Sequence, residues 1–336
     1  MQVGAKKIVV LGTGGTIAGT ASEASDNIGY TAAQVGVQQL LDAVPALSNA
    51  AHAAQVEIAA EQVAQVDSKD MDFSVLMQLA QRCATHLADP AVQGLVITHG
   101  TDTIEETAWF LHSVLRADKP VVLTCAMRPA SALAPDGPQN LLDAVAVAAA
   151  PGARGVVVAA AGVVHTAQAV RKVHPYRVDA FDSGDQGVLG WVEEGHVRLA
   201  QPWPADLPAP PLAPTGAVGG AGDIEVAAAF PRVEIVVNHA GANGRLVDLL
   251  VADGVDGLVV AATGNGSMHH ALESALVRAQ QAGVAVRVST RCPLGRLLSK
   301  PADSLPLDPL GLSPVKARIS LWLQLLATAR RTAAAA

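Results

Sequence analysis

Two short stretches carry residue types able to do covalent chemistry: Thr13-Gly14-Gly15-Thr16-Ile17-Ala18-Gly19 and His99-Gly100-Thr101-Asp102-Thr103. Each directly follows a short apolar run, Lys7-Ile8-Val9-Val10-Leu11 in one case and Gly94-Leu95-Val96-Ile97 in the other. Each therefore reads as the turn at the carboxyl end of a buried strand, the edge of an open α/β sheet where ligands and chemistry collect. A threonine hydroxyl is a poor nucleophile until a base or a lowered pKa activates it. Two hydroxyl-bearing turns at one edge, the second with Asp102, supply a nucleophile and a candidate activating group. A carboxylate there could also hold a cation such as a substrate ammonium. By spacing alone Asp102 fits a helix cap at least as well, and His99 reads as a satisfied core histidine. Gly12-Thr13-Gly14 opens like a dinucleotide fingerprint, but Ile17 stands at the third glycine position and no Gly-Lys-Ser/Thr is present. Phosphate binding is therefore the weaker expectation.

The elements that must position these turns follow from periodicity. Apolar runs of β type alternate with helix-period segments, the pattern of a mainly parallel sheet flanked by helices. Strands are expected to end near Leu11, Ile97, Cys125 and Val164, the last from the apolar stretch 155–164 read as one buried strand. Thr103-Ile104-Glu105-Glu106 fits a capping box, and Ile104, Ala108, Leu111 and Leu115 then share one helical face. Thr101 and Asp102 should thus lie at a helix N-terminus, where free N–H groups and the dipole favour negative charge. A Pro-rich stretch, 202–214, followed by Gly-rich residues to 222, is the best linker in the chain. Beyond it, strands are expected near 233–237, 257–261 and 284–288. A helix over about 268–282 should bury Leu272, Ala275, Leu276 and Ala279 and stop at Gly283. The fold class is α/β: a larger N-terminal α/β domain over 1–205, a linker over 206–231, and a smaller C-terminal α/β domain over 232–336.

Composition sets the outer bounds. A chain of 336 residues is long for one core, and half of it is apolar, mostly small side chains with few aromatics. A net charge of −7 with no Lys/Arg run argues against a nucleic-acid surface. The longest apolar stretch is too short to span a bilayer. The three cysteines, Cys83, Cys125 and Cys292, are far apart and show no metal spacing, and the adjacent His269 and His270 show none either. Reduced, structural cysteines fit a cytoplasmic chain. The first ten residues lack a full apolar signal core. A signal peptide removed beforehand would place the protein in the periplasm instead.

The two threonine signatures, in this order and at this spacing, resemble the bacterial-type L-asparaginases of the asparaginase/glutaminase family. Further matches are Val35-Gly36-Val37, Asp67-Ser68-Lys69-Asp70-Met71, Ala126-Met127-Arg128-Pro129, Asp136-Gly137-Pro138 with Asn140-Leu141, and Gly264-Asn265-Gly266. The resemblance implies that Thr16 attacks the side-chain amide and that Tyr30 lies on a mobile loop that closes over the site; the preceding residues 20–29, rich in Ser, Ala, Asp and Gly, suit such a lid. It implies that Ser68 holds the substrate α-carboxylate, Asp102 the α-ammonium, and that Thr101 and Lys172 complete a Thr-Asp-Lys group. Gly15 and Ala126 join the substrate-binding set, with backbone N–H groups near Thr101 and Ala126 expected at the oxyanion. No metal or organic cofactor is implied. The expected substrate is L-asparagine, with L-glutamine as the dual-specificity alternative, since one methylene is worth only ~1–3 kcal/mol of discrimination. The expected assembly is a homotetramer built from close dimers.

The chain departs from the best-known members at two places. Ser267 follows Gly264-Asn265-Gly266 where some carry a second asparagine. The segment after Arg291-Cys292-Pro293-Leu294-Gly295 has no glutamate where those members supply one across a subunit interface, leaving Asp303 or Asp308 as substitutes. A tRNA-dependent amidotransferase subunit is disfavoured because the first strand begins almost at Met1. A non-catalytic amino-acid-binding protein is the alternative from another class. Retention of Thr16, Ser68, Thr101, Asp102 and Lys172 together argues against it.

Overall fold

A computed structural model describes residues 6–115, 117–204, 230–300 and 304–335. The chain divides into two compact units, one holding the described residues up to 204 and the other those from 230. Most of the expected linker, together with Asp303, lies outside the described residues.

In the first unit, β1 (Lys6–Gly14) ends in a 3-10 turn, Thr16–Ala18, and α1 (Val37–Asp42) and α2 (Ala46–Ala54) lead to β2 (Val56–Val66). A second 3-10 turn, Ser68–Asp70, precedes α3 (Phe73–Ala88), β3 (Val92–Thr98), α4 (Ile104–Val114), β4 (Pro120–Thr124), α5 (Gly137–Ala149) and β5 (Gly155–Ala160). Short strands follow: β6 (Val163–Thr166), β7 (Arg171–Lys172), β8 (Phe181–Asp182), β9 (Gly190–Glu193) and β10 (His196–Leu199). Eight strands form one sheet in the order β10-β9-β6-β5-β4-β3-β1-β2, and β7 pairs only with β8. The run from β2 through β5 is parallel, while β6, β9 and β10 join antiparallel.

Strands of a parallel sheet covered on both faces must be apolar along their whole length. That is why β1 is buried from Ile8 onward and β4 throughout. Ile8, Val10, Val96, Val122 and Val157 pack against Leu141, Ala144, Val147 and Ala148 of α5, and α4 buries Trp109 and Phe110 completely. The order 2-1-3-4-5 puts the point where strand order reverses between β1 and β3. In open α/β sheets that switch point, beyond the carboxyl ends of the strands, is where ligands bind. The Thr16 and Thr101 turns leave β1 and β3 at that point.

Two local expectations fail. Residues 155–164 are not one strand: the run folds back between β5 and β6 at Ala161 and Gly162, with φ of 49° and 74°. Two successive positive-φ residues make a tight hairpin turn, and a continuous apolar run hides it. The capping box is also absent. Thr103 is the N-cap of α4, but its hydroxyl makes no capping bond. It donates instead to the Ser68 carbonyl at 2.7 Å, tying the Ser68 turn to the second signature.

The second unit is a three-stranded parallel sheet, β11 (Val233–Val237), β12 (Gly257–Ala262) and β13 (Ala285–Thr290), in sequential order. It is packed with α6 (Arg245–Ala252), α7 (His270–Gln281) and α8 (Pro314–Ala335). Helix α7 buries Leu272, Ala275, Leu276 and Ala279 as its period requires, and Gly283, at φ 94°, takes the left-handed turn after it. The overall class is the expected one: a large, mainly parallel α/β unit followed by a smaller one.

Candidate active site

The first signature turns sharply because it contains consecutive glycines, Gly14 at φ 103° and Gly15 at φ 82°. The turn is locked to its neighbours by the Thr13 hydroxyl, which donates to the Thr98 carbonyl at 2.9 Å, and by Gly15 N–H donating to the Val66 carbonyl at 3.0 Å. Thr16 is thereby held just past the strand end, 6% exposed, with its Oγ1 2.6 Å from the Tyr30 hydroxyl. Tyr30 closes a loop anchored at its base by the Thr20–Thr31 bridge. That loop rests on the 127–135 segment through Ala130 N–H to the Gly19 carbonyl, Ala21 N–H to Ser131 Oγ, and Leu133 N–H to the Ala24 carbonyl, at 2.8–3.0 Å.

The two signatures touch backbone to backbone. A Cβ on Gly15 would collide with the Cα and N of Gly100, and one on Gly100 with the Ser68 side chain. Glycine is required at 15 for both its φ and its contact. Gly15→Ala is expected to destabilise the protein by about 3 kcal/mol, combining overpacking with positive-φ strain, and to lose most turnover. A thermal melt at the wild-type temperature with full activity would show that the two turns do not need this approach.

The second signature assembles a charged group. Lys172 Nζ, on β7, lies 2.8 Å from Thr101 Oγ1 and 2.6 Å from Asp102 Oδ1. The Lys172 side chain is only 17% exposed and that of Asp102 52%, so the pair has a protected cation and an accessible carboxylate. Thr101 is 5% exposed. Ser68, 2% exposed, accepts the Asp102 N–H at 3.2 Å through its hydroxyl. Ala126, at the end of β4, packs with Ile17 and Ala18. Its loop is fixed by Asp136, which accepts Met127 N–H and Arg128 N–H, each at 2.9 Å. Of the eight expected site residues, seven, Gly15, Thr16, Tyr30, Ser68, Thr101, Asp102 and Lys172, are linked through these contacts, and the eighth, Ala126, packs beside the Thr16 turn.

Support that the residue pattern alone did not reveal comes from buried polar side chains behind the turns. His99 is fully buried, with Nδ1 2.7 Å from the Gly100 carbonyl and Nε2 2.9 Å from Thr107 Oγ1. Asn140 donates to the Cys125 carbonyl at 2.9 Å and accepts Ala161 N–H at 2.9 Å. The Asp136 to Leu141 match marked this segment, but not the partners of its side chains.

Burial pushes the His99 pKa down to about 4, against a small opposing effect of the Gly100 carbonyl. The unfolded chain takes up this proton near pH 6.5 and the folded one only near 4. The stability is therefore complete above pH 6.5 and falls as pH drops toward 4, by up to about 1.4 kcal/mol per unit. Wild-type unfolding free energy is expected to fall more steeply over this window than that of His99→Asn; equal slopes would contradict the assignment.

Asp308 does not present a free carboxylate. It is 8% exposed, and its Oδ1 accepts Leu310 N–H at 3.1 Å and Leu312 N–H at 2.9 Å. Burial raises its pKa. Asn265 pins the following segment by exchanging hydrogen bonds with the backbone of Leu298 at 2.7 and 3.0 Å. His269 and His270 stack, and His269 Nδ1 caps α7 by accepting Ala271 N–H. Among the described residues no cluster of three or more His, Cys, Asp or Glu side chains could hold a metal ion, and no helix is long and apolar enough to cross a membrane.

Comparison with known proteins bears on the whole arrangement. Residues 7–205 match the family model for the N-terminal domain of asparaginase, and residues 232–335 the model for the glutaminase/asparaginase C-terminal domain. L-asparaginase 2 of Bacillus subtilis strain 168 is 35% identical over 331 residues, covering 96% of this chain and 83% of that protein. L-asparaginase 2 of Escherichia coli K12 is 36% identical, covering 96% and 89%. The crystal structure of a probable cytoplasmic L-asparaginase from Campylobacter jejuni superposes with a TM-score of 0.86 at 35% identity, covering 96% of this chain and 95% of that one. With signatures, sheet order and both halves of the chain in agreement, this protein belongs to the asparaginase family.

Proposed function

We propose that this protein hydrolyses the side-chain amide of L-asparagine to L-aspartate and ammonia, with Thr16 as the nucleophile. The observation that carries the proposal is the pairing of a buried threonine hydroxyl, 2.6 Å from Tyr30, with Thr101 and Asp102 on the adjoining turn and Lys172 of β7 bonded to both. Thr16 Oγ bonds to the carboxamide carbon and gives up its proton, and the carbonyl electrons move to oxygen. Collapse of that oxyanion breaks the C–N bond. The nitrogen leaves as ammonia once a proton has been passed to it, which Tyr30 or Thr101 can relay. Water then cleaves the β-aspartyl ester and restores the hydroxyl. Backbone N–H groups near Thr101 and Ala126 stabilise the oxyanion, each worth ~10²–10³ in rate. Lys172 stabilises the alkoxide character of Thr101, while Asp102 and Ser68 hold the substrate ammonium and carboxylate.

A homotetramer of close dimers and a reducing, cytoplasmic setting belong to the same proposal. Free Cys83, Cys125 and Cys292 favour the latter, as does the cytoplasmic designation of the Campylobacter protein.

The test is ammonia release from L-asparagine and, in parallel, from L-glutamine. Strong preference for asparagine is expected. Comparable rates would make the enzyme a dual glutaminase-asparaginase. No release from either by folded protein that still binds L-aspartate would leave a binding protein and overturn the hydrolytic reading.

A further inference from the structure

We propose that His99 is a positioning residue: it fixes the peptide between Gly100 and Thr101, and so aims the Thr101 N–H at the carbonyl oxygen of the scissile amide. The proposal rests on the hydrolytic reading above. A trans peptide is planar, so its C=O and N–H point in opposite directions, and no described peptide is cis. Whatever fixes the Gly100 carbonyl therefore fixes the Thr101 N–H. Glycine at 100 is demanded by the close approach of Ser68 and Gly15. It also removes the side chain that would otherwise restrict rotation of this peptide.

The restraint is supplied from behind. The Gly100 carbonyl can only accept, so the His99 nitrogen 2.7 Å from it must be Nδ1–H. Burial keeps the ring neutral, so Nε2 is the acceptor and Thr107, 2.9 Å away on α4, is its donor. The His99 backbone N–H donates to the Thr124 carbonyl of β4 at 2.9 Å. Backbone and both ring nitrogens are thus held, and the imidazole is a rigid strut between α4 and the turn. The same device recurs at the next strand end, where buried Asn140 grips the Cys125 carbonyl at 2.9 Å and orients the peptide leading into Ala126. An apolar side chain at 99 could fill the space. It could not hold the carbonyl.

The experiment compares wild type, His99→Leu and His99→Asn, since an asparagine amide can place a donor close to the position of Nδ1. Each is assayed for kcat and KM on L-asparagine and for L-aspartate affinity by calorimetry. His99→Leu is expected to lose roughly 10- to 100-fold in kcat, part of the value of one oxyanion donor, with KM and L-aspartate affinity within about threefold. His99→Asn is expected to recover kcat to within about fivefold of wild type. Unchanged kcat in His99→Leu, or equal losses in both variants, would overturn the positioning role. Should His99→Leu fail to fold, Thr107→Val releases the far end of the ring. A fall in kcat of roughly 3- to 10-fold at constant KM supports the strut, and an unchanged kcat overturns it. A wild-type protein inactive on both amides would instead sink the hydrolytic reading, and this proposal with it.

Discussion

A Thr16→Ala protein is expected to fold normally and to lose at least ~10³-fold in ammonia release from L-asparagine. The two effects separate because they rest on different quantities. For stability, the hydroxyl contributes one hydrogen bond, to Tyr30; losing it costs about 1 kcal/mol. For turnover, the proposed mechanism makes this hydroxyl the atom that forms the ester, and an alanine at 16 has no oxygen to replace it. Thr16 follows Gly15 in a backbone fixed by the Val66 and Thr98 carbonyls, so a water in place of the hydroxyl would lack its fixed orientation. Thr16→Ser keeps the oxygen and is expected to retain part of the activity. A folded Thr16→Ala protein with near-normal turnover would remove Thr16 from the mechanism.

Lys172→Met is expected to cost ~10²–10⁴ in kcat, the range of a proton-transfer partner, while changing stability by less than about 1 kcal/mol. The small stability effect follows from the half-exposed carboxylate of Asp102, because ion pairs open to water contribute little. The large kinetic effect follows from Thr101, whose hydroxyl is buried and receives its hydrogen bond from Nζ at 2.8 Å. Without the ammonium, the hydrogen bond that offsets negative charge developing on that oxygen is lost. The check is kcat alongside a chemical denaturation curve. Full activity would make the lysine a structural strut, and equally large losses of stability and activity would mean that it holds the fold.

Thr16, Thr101 and Asp102 were legible in the sequence because their signal is local. An apolar run followed by a glycine and threonine turn is a strand end, and parallel strands must be apolar throughout. The same locality explains why α7 and its stop at Gly283 could be read in advance. Tyr30, Ser68 and Lys172 are single residues on a loop, a 3-10 turn and a two-residue strand, with no period of their own; only resemblance to the family marks them. From its spacing His99 reads as a core histidine, and by burial it is one. Its grip on the Gly100 carbonyl depends on ring orientation, which spacing does not encode. Hydrophobicity continues through the hairpin turn at Ala161 and Gly162, so the residue pattern does not mark it. β2 carries no clean alternation, because its burial is irregular along an edge strand.

The most direct measurement of the Thr16 ester is mass spectrometry of enzyme quenched in acid during turnover of L-asparagine. The expected result is one aspartyl group on the peptide containing Thr16, absent from Thr16→Ala. An aspartyl group on any other residue, or an unmodified Thr16 peptide in a protein whose Thr16→Ala variant still turns over at the wild-type rate, would contradict the two-step route through Thr16.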